Sequence, residues 1–86
     1  MVEDLKDMVI LANDENNDSY ERVQFVAEYY GYMMCQYKGK LNLKQDRELK
    51  KFYDIVLDIA KGYSISEKSK SFLDEMIQQD SNVKTY

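Results

Sequence analysis

Asp54 and Asp58 stand four residues apart. At that spacing two carboxylates share one helix face, where they could hold a hard cation or divide acid and base work between them. The same pair is also ordinary on a solvated helix, and catalysis needs further groups converging in a water-poor pocket. The chain offers few such groups. It has no histidine, which removes the usual general base near neutral pH, the Ser-His and Cys-His nucleophile pairs, and the commonest metal ligand. Its one cysteine, Cys35, can form neither an intrachain disulfide nor a multi-thiolate metal site. That thiol lies in an apolar stretch with Lys38 as the only near cation, so it reads as buried and inert. The three glycines are isolated at 31, 39 and 62, so no glycine-rich loop cradles a phosphate. The expectation is a protein that is not an enzyme and carries no metal or cofactor.

Tyrosine is the distinctive residue. There are eight, against three phenylalanines and no tryptophan. Five of them (Tyr20, Tyr29, Tyr30, Tyr32 and Tyr37) fall between Asp18 and Gly39. A tyrosine can pack its ring in a core and leave its hydroxyl at the boundary. It also supplies large contact area for little conformational entropy, and is enriched where proteins bind one another. Tyr29 and Tyr32 project from a different side of a helix than Tyr30 and Tyr37. Together with Phe25, Glu21 and Glu28 they form the candidate surface for a protein partner, or for a second copy of the chain.

The elements that must carry these residues are helices. No proline and three glycines in 86 residues favour long helices over a turn-rich β architecture, and 44% apolar residues suffice for a small core. Leu5, Met8, Val9 and Ala12 recur at helical spacing and predict a helix over 3–12, with Glu3, Asp4 and Asp7 in its opening turns. The run Asn13-Asp14-Glu15-Asn16-Asn17 then breaks the pattern. A second helix is predicted over 19–38, opened by Asp18 and Glu21 at capping-box spacing and closed by Gly39. Val23, Val26, Ala27, Tyr30, Met34 and Tyr37 draw its inner stripe. Gly31 inside it suggests a kink or a close helix approach. The arc is wide enough to make this the central helix.

Asn42 and Gln45 have N-cap and N3 spacing, so a third helix is expected over 43–61. Its inner face is Leu49, Phe52, Tyr53, Val56 and Ala60, widened by Ile55 and Ile59. Gly62 closes it. Ser64 with Glu67, or Ser66 in competition, starts a fourth helix over 65–79 carrying Phe72, Leu73, Met76 and Ile77. Residues 80–86 read as a frayed tail.

Charge is uneven within a net −4. Residues 1–37 hold eight acids against Lys6 and Arg22. Residues 38–51 hold six bases against Asp46 and Glu48. The alternative to protein binding is therefore a nucleic-acid contact through Lys40, Lys44, Arg47, Lys50 and Lys51, with Tyr37, Phe52 and Tyr53 stacking on bases. The acidic total argues against it. No apolar run approaches the ~20 residues of a membrane span, and MVEDLKDMVILA lacks the basic start of a signal peptide. The sequence thus predicts one soluble, cytoplasmic all-α domain over 1–86, a compact four-helix bundle-like fold that regulates or inhibits another protein by binding it. Inhibitors, immunity proteins, antitoxins and phage regulators share these bulk properties, but no motif carries the likeness.

Overall fold

A computed structural model describes residues 4–37 and 39–84 as four helices: α1 (Leu5–Ala12), α2 (Ser19–Tyr37), α3 (Leu43–Ala60) and α4 (Glu67–Lys84). The fold is all-α and bundle-like, and no strand occurs among the described residues. Local chemistry sets most of the boundaries. Asp4 stands outside α1 as its N-cap and accepts from the Asp7 amide at 2.9 Å, so the helix starts two residues later than predicted. Glu3 lies outside the described residues. The Asp18 carboxylate accepts from the Glu21 amide at the head of α2. Asn42 and Gln45 form the predicted capping box of α3, each side chain accepting from the other's backbone amide. At the end of α3, Gly62 takes φ 87°, and the amides of Gly62 and Tyr63 return to the carbonyls of Ile59 and Asp58. That pattern is a Schellman closure, which needs a residue that tolerates positive φ.

Of the two competing serines, Ser66 is the N-cap of α4: its hydroxyl accepts from the Ser69 amide at 3.1 Å. The helix then continues to Lys84, past the expected fraying point at 79, and Thr85 and Tyr86 lie outside the described residues.

One hydrophobic core joins the four helices. Its buried members come from every one of them: Leu5, Met8 and Ala12; Val26 and Met33; Leu49, Phe52, Ile55, Val56 and Ala60; Leu73 and Met76. The central helix is α3 and not α2. α1 and α3 each pack on all three others, and α3 supplies five of the twelve buried core residues, whereas α2 packs along α1 and α3 and meets α4 through the Tyr37–Asp80 bond. The expected centrality of α2 came from its wide apolar arc, but much of that arc faces outward.

Most of the expected inner stripe of α2 packs on the core, with Val26 buried and Val23, Tyr30, Met34 and Tyr37 against it, but Met33 joins it and Ala27 does not. Val26, Met33 and Tyr37 face inward with Tyr30, which turns Ala27 and Cys35 outward. Cys35 is therefore exposed rather than buried. Gly31 is exposed too, and nothing lies within 4 Å of where its Cβ would be, so it marks no close helix approach.

The eight-residue α1 is too short to persist alone. Both of its poles are held by other helices. At its positive end, Asp80 of α4 accepts from the Leu5 amide and from the Tyr37 hydroxyl, each at 3.2 Å, tying α4 to α1 and α2. At its negative end, Arg22 of α2 donates from Nη1 to the Ala12 carbonyl at 3.0 Å and from Nη2 to the Ser19 hydroxyl. A carboxylate at the start and a guanidinium at the stop both complement the helix dipole.

Candidate functional site

The inward register of α2 leaves a continuous outer stripe. Glu21, Phe25, Glu28 and Tyr32 follow one another at steps of three and four, and Tyr29 sits beside them one turn from Phe25 and Tyr32. The five residues singled out from sequence therefore share one side of the helix. Phe25 is 42% exposed and Tyr32 59%. Glu21 and Glu28 are exposed between them. The Tyr29 and Tyr32 rings stack with centroids 6.2 Å apart and planes 27° from parallel.

Tyr29 differs from its neighbours in being half-buried against the core beside α1. Burial, and then the nearby carboxylates of Asp4, Asp7 and Asp80, push its phenol up to about 12, so it stays a neutral donor at any ordinary pH. It anchors the base of the stripe, and Tyr32 leans on it from the solvent side.

Tyr30 and Tyr37 are turned inward. Tyr30 stacks on Tyr53 of α3 at 3.9 Å and 16°. Burial is the main cause of its raised pKa, with Asp46 and Asp54 adding to it. Tyr37 is raised by burial, then by the Asp80 charge and by its hydrogen bond to that carboxylate. The sign of the resulting pH dependence follows from linkage. Below pH 10 these phenols are protonated in both states, and their contribution is fully present. Above about pH 10 the unfolded chain releases its phenolic protons first, so stability falls as pH rises through the raised folded-state values. Alkaline titration followed by phenolate absorbance should show three tyrosines ionising late and together with loss of helical circular dichroism. Smooth ionisation of all tyrosines near pH 10 with the helices intact would contradict this.

The residues proposed for nucleic acid are distributed differently. Lys40, Lys44, Arg47, Lys50 and Lys51 are all exposed. Lys44 reaches Glu48 at 4.0 Å, and the Lys51 ammonium sits 4.5 Å above the Phe72 ring, linking α3 to α4. The aromatics expected to stack on bases are otherwise engaged: Phe52 is fully buried, Tyr53 is stacked on Tyr30, and Tyr37 is bonded to Asp80. The proximity of Phe52 and Tyr53 to the lysines in sequence is a consequence of the amphipathic period of α3, which alternates solvent and core.

Asp54 and Asp58 are exposed on α3, and no three His, Cys, Asp or Glu side chains converge as a metal would require among the described residues. A recess of about 290 Å³ opens where α1 begins and α4 ends, floored by Leu5, Leu49 and Met76. Its carboxylate, Asp80, is committed to the Leu5 amide and the Tyr37 hydroxyl. No helix among the described residues is long and apolar enough to cross a membrane.

The pairing of Asp80 and Arg22 with the ends of α1 was not foreseen from sequence. The only signal for it there is the helical step from Leu73, Met76 and Ile77 to Asp80. No protein-family model, curated protein or solved structure matches this chain.

Proposed function

We propose that this protein regulates or inhibits another protein by binding it through the outer stripe of α2, without chemistry of its own. The observation that carries the reading is the pair Phe25 and Tyr32. Two large rings are held at i and i+7 on a helix, exposed at 42% and 59%, while the core closes without them. Rigid aromatic anchors of this kind dominate binding energy at protein interfaces, and Glu21 and Glu28 supply a polar rim beside them. A small, acidic, histidine-free chain is better suited to occupying a partner's surface than to transforming a substrate.

The test is affinity capture from the native host, followed by titration of the captured partner against variants. Tyr32→Ala and Phe25→Ala should each weaken binding by about 2 kcal/mol, roughly thirtyfold, as interface anchors do. Lys68→Ala, on the exposed side of α4, should not change it. Equal affinity for all three variants would remove the α2 stripe as the binding face.

A further inference from the structure

Two of the exposed helix faces of this molecule are opposite in charge. On α2 the aromatic stripe is bordered by Glu21 and Glu28, and the carboxylates of Asp4 and Asp7 act on Tyr29 from its α1 flank. On the first half of α3, Lys44, Arg47, Lys50 and Lys51 face solvent against the one exposed acid Asp46, together with Leu43, which is 70% exposed. Among the described residues, Glu21, Glu28, Arg47 and Lys50 take part in no ion pair.

The helices run antiparallel, because Tyr30 stacks on Tyr53 and Tyr37 lies beside Leu49 and Gln45. The acidic first half of α2 and the basic first half of α3 therefore lie toward opposite ends of the pair. A second copy turned end for end brings the unlike ends together.

We propose that the α2 stripe of one copy docks on the basic first half of α3 of a second copy. This rests on the α2 stripe being a contact face, and it names the occupant that the charge pattern selects. Glu21 and Glu28 meet Arg47 and Lys50, the Tyr32 ring offers its face to a guanidinium or ammonium group, and Leu43 covers apolar area beside Phe25. Made twice about a two-fold axis, the contact closes a dimer. Self-association then covers the stripe until a partner displaces the second copy.

The test is sedimentation equilibrium of the full chain with two charge-reversed variants, Glu21→Lys/Glu28→Lys and Arg47→Glu/Lys50→Glu. The wild type should associate, and association should weaken about tenfold when salt rises from about 0.05 M to about 0.5 M. Each variant alone should weaken it by at least about tenfold, since like charges then face each other. An equimolar mixture of the two should recover association, because the unaltered faces are complementary and so are the reversed ones. A wild type that stays monomeric up to about 1 mM overturns the inference, as does association that survives in both variants or a mixture that fails to recover it. Circular dichroism of each variant confirms that its helices are intact.

The two readings fail separately. Arg47→Glu/Lys50→Glu leaves the α2 stripe untouched, so it should still bind the captured partner. Partner binding that depends on Tyr32, in a protein that never self-associates, sinks only the dimer.

Discussion

Phe52→Ala is expected to be the most destabilising single truncation in the chain, at about 3–5 kcal/mol. Phe52 is fully buried at the middle of α3, the helix that supplies five of the twelve buried core residues. Truncating a core phenylalanine removes its transfer free energy and leaves a cavity, together about 3–5 kcal/mol. A chain of this length has a total stability of only about 4–13 kcal/mol. The loss is therefore about a quarter or more of what holds the molecule together, and at the lower end of that range it is nearly all of it. Phe52→Leu keeps most of the volume and should lose about 1.5 kcal/mol or less. Urea unfolding followed by circular dichroism separates the two variants. A Phe52→Ala protein within about 1 kcal/mol of wild type would show that α3 is not the centre of the core.

Asp80→Ala should be the next most damaging single change, at about 2 kcal/mol. Its carboxylate accepts two hydrogen bonds from two different helices, and a bond to a charged group contributes more than a neutral one. Loss of the side chain leaves the Leu5 amide at the positive end of α1 without that acceptor and frees the Tyr37 hydroxyl. The damage should be local first: hydrogen exchange in α1 should accelerate before that in α3, because α1 depends on its poles being held. Asp80→Asn keeps the shape but removes the charge that helps hold Tyr37 protonated. The late step in the phenolate titration assigned to Tyr37 should move down toward the ordinary value. Unchanged stability and unchanged Tyr37 titration in both variants would mean that the carboxylate does not clamp the three helices.

Part of this fold is legible in the sequence because the outward positions of α3 are polar. Lys50, Asp54 and Asp58 mark its solvent side clearly, so periodicity alone draws the inner face of Leu49, Phe52, Val56 and Ala60 correctly. The Asn42–Gln45 box and the Gly62 stop are local motifs, and local motifs survive folding unchanged.

On α2 the same logic works only in part. Val23, Val26, Tyr30, Met34 and Tyr37 are drawn inward correctly, but tyrosine, phenylalanine, methionine and alanine occur all around the helix, so spacing alone does not show that Met33 is buried and Ala27 exposed. The packing of Tyr30 on Tyr53 and of Val26 in the core decides it. That choice also exposes Cys35. The five candidate contact residues share a face of the helix in any register, because their spacing alone places them there. Asp80 is illegible for another reason. A lone carboxylate near a chain end looks like solvated tail, and its partner is a backbone amide 75 positions away.

The central claim is that the two exposed rings of the α2 stripe, Phe25 and Tyr32, are surplus to folding. It is tested most directly by urea unfolding of the double variant Phe25→Ala/Tyr32→Ala beside the wild type. Two exposed rings should cost no more than about 1 kcal/mol together, with an unchanged denaturant slope. A loss of about 3 kcal/mol or more would place both rings in the core and contradict the claim.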